Sequence, residues 1–270
     1  VPLKHIRTGR TFGHIEGTAM LSGKTIMITG ASSGIGAATA RVLAAEGAAV
    51  VLMARRGELL RKVAADITAA GGRAAVSEGD VASSADVERA VGTALDTFGS
   101  LDAAFNNAGW GTAGTPLHLM DDADFDRTID VNVRGVWNCL RHQVRVMMAQ
   151  PSGGSIVNTG STAGSFATGA GAPYVAAKHA VTGLTKAAAA EYGGDNIRVN
   201  VLMVGSTRTE LLVEAMRRVP QMEENAVSRA IQKRLADPEE IAQAVAWLCS
   251  DRSSFVTGAV VPVDGGCSAV

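Results

Sequence analysis

The sequence predicts an α/β fold: one doubly wound domain, its seven-stranded parallel sheet covered by helices on both faces. Three observations carry this. Short, continuously apolar runs such as residues 49–53 alternate with longer Ala-rich or amphipathic stretches, the pattern of strands buried on both faces and joined by crossover helices. Hydrophobic residues make up 47% of the chain and charged ones 19%, enough apolar material for a sizeable core. No internal repeat, low-complexity tract or Pro-rich linker divides the 270 residues, a length that one large α/β domain accommodates.

The elements follow in order. Residues 25–29 form a β-prone run, and 34–46 an Ala-rich helix that Gly47 stops. Residues 49–53 form the second strand, and 58–70 a second helix closed by Gly71-Gly72. Strands are expected at 74–77, 101–106, 155–159, 199–204 and 259–263, and helices at 84–97, 122–149, 174–192 and 238–250. Residues 209–236 break the rhythm with a polar stretch after a strand. A lid is expected there, at the carboxyl edge where α/β folds bind ligands; a plain helical excursion is the alternative. Residues 1–19 scatter Lys4, His5, Arg7 and Arg10 without an apolar period, and lack the apolar core of a secretory signal. They read as an extension or tag remnant, with the domain proper running from Met20 to Val270.

Charge and cysteine content exclude several function classes. Lys and Arg total 25 against 26 Asp and Glu, a net charge of -1, so nothing electrostatic favours nucleic acid or an anionic membrane as partner. No run reaches the roughly 20 apolar residues of a membrane span. Cys139, Cys249 and Cys267 are odd in number and show no C-x-x-C or Cys/His spacing, so neither a disulfide framework nor a metal site is expected. Three inert thiols suit a reducing, cytoplasmic compartment.

The chemistry begins at the first strand-to-helix turn, Thr29-Gly30-Ala31-Ser32-Ser33-Gly34-Ile35-Gly36. Glycines there allow a tight turn and close backbone approach, and the helix N-terminus offers free N–H groups and a positive dipole to a pyrophosphate. The second strand ends in Ala54-Arg55-Arg56, without the acidic residue that commonly binds a ribose 2′-hydroxyl. Arg55 suits a 2′-phosphate, so NADP(H) is favoured over NAD(H); a solvated pair of arginines is the plain alternative. Tyr174 and Lys178 stand four apart at the head of a predicted helix and share a face. An ammonium beside a phenol favours the phenolate and lowers its pKa. Ser161 follows a predicted strand, 13 residues before Tyr174, and Asn132 lies inside a predicted helix where Asn is a poor former.

Together with Asp80-Val81, Asn106-Asn107-Ala108-Gly109 and the closing Val263-Asp264-Gly265-Gly266, these motifs resemble the short-chain dehydrogenase/reductase family in its classical form, from about Leu21 to Gly266. The resemblance implies a Rossmann fold and an oxidoreductase. Tyr174 would be the general acid/base at the carbonyl oxygen, and Lys178 would hold the nicotinamide ribose and depress the Tyr174 pKa. Ser161 would hydrogen-bond the substrate oxygen, and Asn132 would hold a water that passes protons to Lys178. Cofactor contacts would come from Gly30, Ser32, Ser33, Gly34, Ile35, Gly36, Arg55, Asp80, Val81, Asn107, Ala108, Gly109, Gly205, Thr207 and Thr209, besides Tyr174 and Lys178. The partner would be a small carbonyl or alcohol substrate, and the chain would assemble as a homotetramer or a dimer. The segment Val204-Gly205-Ser206-Thr207-Arg208-Thr209 departs from the family in carrying Val204 where Pro is usual. Arg208 could touch a substrate anion or stay solvated. Trp110 is a candidate wall of the substrate pocket, with loop packing as the default reading. His179, though next to Lys178, should point away from it. Two competing functions remain: reduction of an acyl-carrier-protein thioester, with Arg134, Arg141 and Arg145 as docking candidates, and a silent dinucleotide sensor.

Overall fold

The computed structural model describes residues 19–111, 115–167, 170–218 and 221–270. Seven strands form its sheet: β1 (Thr25–Thr29), β2 (Ala49–Ala54), β3 (Arg73–Glu78), β4 (Ala103–Asn106), β5 (Gly154–Thr159), β6 (Ile197–Val204) and β7 (Val260–Val263). They are all parallel, in the order β3-β2-β1-β4-β5-β6-β7. The order reverses between β1 and β4, and the crevice at that switch point opens at the carboxyl ends of the strands.

The strands read as continuous apolar runs because alternate residues enter two different cores. Ile26, Ile28, Val50, Leu52, Phe105 and Leu202 pack on one face with Leu43, Leu60, Val63, Ile241 and Val245. These partners lie on helices α1 (Gly34–Ala45), α2 (Gly57–Ala69) and α9 (Pro238–Cys249). Met27, Val51, Met53, Ile156 and Val199 face the other way, onto Val87, Leu140, Val144, Met147 and Val181. Those belong to α3 (Ser84–Phe98), α5 (Gly135–Ala149) and α6 (Ala172–Tyr192). Each such side chain, fully buried, contributes about 1.5–3 kcal/mol.

Local chemistry sets the helix ends. The Ser83 hydroxyl accepts the Asp86 N–H at the head of α3, and Gly99 ends that helix in the left-handed conformation at φ +86°. Asp237 and Glu240 form a capping box on α9, with Pro238 in its first turn. The expected helix over 122–149 is not uniform: α4 (Asp122–Ile129) passes through a π turn, Asp130–Arg134, before α5. The stretch 209–236, expected as a lid, contains two short helices, α7 (Glu210–Arg218) and α8 (Gln221–Arg229). Among the described residues, no helix is long and apolar enough to cross a membrane, and no cluster of His, Cys, Asp and Glu could hold a metal ion.

Candidate active site

The turn after β1 is shaped so that only glycine fits. A Cβ on Gly36 would collide with the Gly30 carbonyl oxygen and lie 2.8 Å from Asn107 Nδ2. Gly30 has φ +65°, and a Cβ there would meet the backbone of Ala108 at 3.0 Å. The Thr29 hydroxyl accepts the Asn107 and Ala108 N–H groups at 2.9 and 3.0 Å, tying the ends of β1 and β4 together. Gly34 begins α1 at φ +52°, with Thr209 Cγ2 only 3.1 Å from where its Cβ would be. The Ser33 side chain makes no capping bond, and no acidic residue occupies the first turn of α1. Bare N–H groups, a positive dipole and a cradle without side chains are what a pyrophosphate requires, so these residues fit a dinucleotide.

Of the two arginines after β2, it is Arg56 that reaches this turn. Its Nη2 donates to Ser32 Oγ at 3.0 Å and to Ser33 Oγ at 2.6 Å. Arg55, 59% exposed, has its Nη1 3.9 Å from an Asp80 carboxylate oxygen. Asp80 also accepts the Ala82 N–H through its side chain, while its own N–H donates to Asp86. That backbone donor, with Arg89, holds the Asp86 carboxyl below its ordinary range. Val81 is buried, and its carbonyl accepts from Asn138 at 2.9 Å. Sequence reasoning points to Arg55 and passes over its neighbour; the available signal is the second guanidinium within reach of two serines.

Across the crevice, α6 carries Tyr174 and Lys178 on one face. Lys178 is 3% exposed, and its Nζ donates to the Thr159 carbonyl at 2.8 Å and stands 5.4 Å from the centre of the Tyr174 ring. Burial pushes its pKa down to about 8. Ser161 begins a 3₁₀ turn, Thr162–Gly164, in which its Oγ accepts the Ala163 N–H. Gly164 lets this turn lie close against Lys178, where a Cβ would be 3.0 Å from the Lys178 carbonyl oxygen. Ser161 borders the same cavity as Tyr174. The Tyr174 pKa lies above its ordinary value rather than below it as expected: burial raises it, and Ser161 acts the other way without cancelling the rise. The ammonium lies beside the ring rather than at the hydroxyl, so desolvation wins.

Asn132 is fully buried in the π turn. Its Nδ2 donates to the Trp110 and Thr128 carbonyls at 2.5 and 2.9 Å, and its Oδ1 accepts the Trp110 N–H at 3.4 Å. Gly109 lies between Asn132 and Lys178, where a Cβ would be 3.1 Å from Asn132 Oδ1 and 3.9 Å from Lys178 Nζ. Trp110 does not wall the cavity; its ring carries the Arg127 guanidinium 4.5 Å from the centroid. His179 is exposed and bonds back to the Val175 carbonyl, as expected.

Ser161, Tyr174, Ile35, Gly205, Thr207 and Thr209 border a cavity of about 960 Å³. The loop after β6 is firmly placed with Val204 where Pro is usual: Thr207 pairs with Ala236 and bonds to the Gly205 carbonyl, while the Thr209 hydroxyl accepts the Leu212 N–H at the head of α7. A Cβ on Gly205 would sit 2.7 Å from Asp264 Cα, so the loop lies flush on the turn after β7. Arg208 pairs with Asp237 at 3.8 Å, half exposed. The far wall, which sequence reasoning does not resolve, comes from Asn225, Gln232 and the Arg234–Glu240 pair. Bidentate bonds of 2.6 and 2.8 Å from Arg234 hold the Glu240 carboxyl down at about 2.

Known proteins resemble this chain in sequence and fold. A family model described as enoyl-(acyl carrier protein) reductase matches residues 30–268. The A-factor type gamma-butyrolactone 1'-reductase (1S-forming) of Streptomyces virginiae is 52% identical over 92% of this chain and 96% of that protein. A 2,5-dichloro-2,5-cyclohexadiene-1,4-diol dehydrogenase of Sphingobium indicum is 44% identical over 93% and 99%. The crystal structure of levodione reductase superposes with a TM-score of 0.87 at 36% identity, covering 93% of this chain and 99% of that one. With relatives this similar over nearly their whole length, the chain belongs to the short-chain dehydrogenase/reductase family, oxidoreductases that interconvert alcohols and carbonyl compounds.

Proposed function

We propose that this chain is an NADP(H)-dependent reductase of ketones borne on or beside a ring, able also to oxidise the matching secondary alcohols. The observation that carries the reading is Ser161 and Tyr174 side by side at the cavity wall, with Lys178 buried behind them and bonded to the Thr159 carbonyl. Ser161 orients the substrate oxygen and steadies the charge that develops on it. Tyr174, kept protonated by burial, gives its phenolic proton to that oxygen in reduction and takes it back in oxidation. Lys178, whose pKa falls to about 8, carries a proton that it can exchange near neutral pH. The nicotinamide, when bound, supplies or accepts the hydride. Gly30, Gly34 and Gly36 would admit the pyrophosphate, and Gly205, Thr207 and Thr209 would border the nicotinamide.

Arg56, with Ser32 and Ser33, supports the preference for a 2′-phosphate, and Arg55 stands close enough to join it. Named relatives acting on a butyrolactone, a cyclohexadiene diol and cyclohexanol support a ring-bearing substrate, and the cavity of about 960 Å³ has room for one. Helices α7 and α8 would serve as the lid. Two apolar faces support a homotetramer: Trp137 and Met148 on α5 are 51% and 47% exposed, and Trp247 and Phe255, before edge strand β7, are 37% and 102% exposed. All three cysteines are free, in keeping with a reducing, cytoplasmic setting. The carrier-protein alternative rests on Arg134, Arg141 and Arg145, of which Arg134 makes an exposed pair with Asp130 at 3.2 Å.

The test is turnover of NADPH with a panel of cyclic ketones, by wild type and Tyr174→Phe. The expected result is activity lost in the variant while NADPH binding persists. A silent sensor would show no turnover in either protein, and activity confined to acyl-thioester substrates would sink the ring-ketone reading.

A further inference from the structure

The segment 109–111 crosses the site as a strap, and every residue of it meets a part of the active-site machinery. Gly109 lies against Asn132 and Lys178. Both backbone polar groups of Trp110 are held by the buried Asn132 side chain. At Gly111 a Cβ would lie 2.7 Å from Tyr174 Cδ2 and 3.2 Å from Cε2, so the backbone there rests directly on the phenol ring. This close approach requires glycine, and it makes the strap one wall of the Tyr174 environment.

The Trp110 ring, projecting from the middle of the strap, is held from outside. Its face carries the Arg127 guanidinium at 4.5 Å. Arg127 sits near the end of α4, next to Thr128, whose carbonyl accepts Asn132 Nδ2 at 2.9 Å. The end of α4 therefore grips the strap twice: once through Thr128 and Asn132 to its backbone, once through Arg127 to its one large side chain. Arg127 itself is exposed and does not border the cavity. We infer that Arg127 is a positioning residue for Tyr174: by stacking on Trp110 it presses the 109–111 strap onto the phenol ring and fixes where the hydroxyl points.

Loosening that stack bares to water the ring edge that Gly111 now covers. Lys178 is the cation the structure places at the ring, 5.4 Å from its centre; Arg127 stacks on Trp110 rather than on the phenol, and the Tyr174 titration carries no contribution from its charge. Because desolvation dominates the phenol's titration, admitting water moves it downward. A surface cation–π contact is strong enough to shift it by about half a pH unit.

The inference rests on the function proposed above only for its effect on turnover, so its test has a readout that needs no substrate. The chain has two tyrosines, Tyr174 and Tyr192. In protein labelled with ¹³C at the tyrosine ring carbon bearing oxygen, a Tyr192→Phe background leaves Tyr174 as the one signal to titrate. Arg127→Ala should lower its titration midpoint by about half a pH unit, with Arg127→Lys closer to wild type. Gly111→Ala, which displaces the strap from the ring side, should move Tyr174 the same way and add nothing in the Arg127→Ala background. Turnover should fall about three- to fivefold in Arg127→Ala while NADPH affinity stays within about twofold. An unchanged Tyr174 titration in Arg127→Ala, or shifts that add in the double variant, overturns the inference whatever the activity. Absence of turnover in wild type, with the titration shift present, refutes the proposed function and leaves the positioning role standing.

Discussion

Replacing Lys178 by Met separates what the ammonium does for the reaction from what it does to the fold. The side chain is 3% exposed and its pKa is pushed from 10.5 to about 8 by burial. That gap means that keeping Lys178 charged in the folded protein costs about 3 kcal/mol. Met removes the cost and fills similar volume, but it strips the Thr159 carbonyl of its donor, which costs roughly 1–3 kcal/mol. The net at pH 7 is a variant more stable by about 1 kcal/mol, or ~2–4 °C in melting temperature, with no turnover. The pH dependence has a definite sign. Between about 8 and 10.5 the unfolded chain holds a proton that the folded chain has lost, so wild-type stability rises with pH across that window. The Lys178→Met variant has no proton to lose at this position, so wild type should overtake it before about pH 10. Urea denaturation of both proteins at about pH 7 and pH 10, at one protein concentration, reads the crossover. A variant less stable at the lower pH by the same margin as at the higher would refute the reasoning, because it would mean that the buried ammonium carries no desolvation cost.

Gly36→Ala drives a methyl into the Gly30 carbonyl oxygen; NADPH affinity should fall roughly 10–100-fold, measured by nicotinamide fluorescence, and an unaltered affinity would mean that the turn is not the phosphate cradle. Arg56→Ala should lower NADPH affinity roughly tenfold or more, the worth of a charge-assisted bond, and leave NADH binding unchanged. Parallel titrations of Arg55→Ala would show which guanidinium matters more. His142 is buried against Ser84, its Nε2 2.8 Å from the hydroxyl, and burial, with Arg145 and Arg141 adding and Glu88 opposing, keeps its pKa below the ordinary 6.5. As pH falls below about 6.5 the unfolded chain takes that proton first, so stability should decline there, and His142→Gln should flatten the decline in chemical denaturation curves.

Much of this molecule is legible in the sequence because strands buried on both faces are predominantly apolar, the buried Asn106, Asn158 and Asn200 being exceptions that find hydrogen-bond partners. The strand at 25–29 has the bounds its β-prone run predicts, and the run 49–53 falls short of its strand only by Ala54. The glycine turn and the Tyr174–Lys178 pair are legible for a similar reason: a backbone that must approach a ligand, and two side chains that must share a helix face, leave fixed spacings. The π turn at Asp130–Arg134 is not legible, since one extra residue per turn scarcely changes the apolar period of a long helix. Arg56 is hidden because two adjacent arginines look alike until the chain bends at Arg56, which caps α2 with φ -91° and ψ 85°. The direction of the Tyr174 shift depends on how deeply the ring is buried relative to how near an ammonium lies, and only three-dimensional distances decide between those effects.

The π turn constrains how the gene encoding this helix can change length. A regular helix advances about 100° per residue, so deleting one residue within 130–134 would heal the turn into an unbroken helix. The deletion would keep the apolar period, the helix content and the phase of α4 against α5, because the π turn winds its extra residue into one full turn, but it would shift the residues inside the turn itself. Asn132 would no longer meet Trp110 and Thr128 at once. Such a one-residue deletion should fold and be catalytically dead, whereas the exposed turn at Pro151 and Ser152, between α5 and β5, should absorb a change in length, as surface connections do. Turns of the π kind are frequent at functional sites, and in this chain the stretch joining α4 to α5 is where the count of residues, rather than their composition, decides whether Asn132 is held.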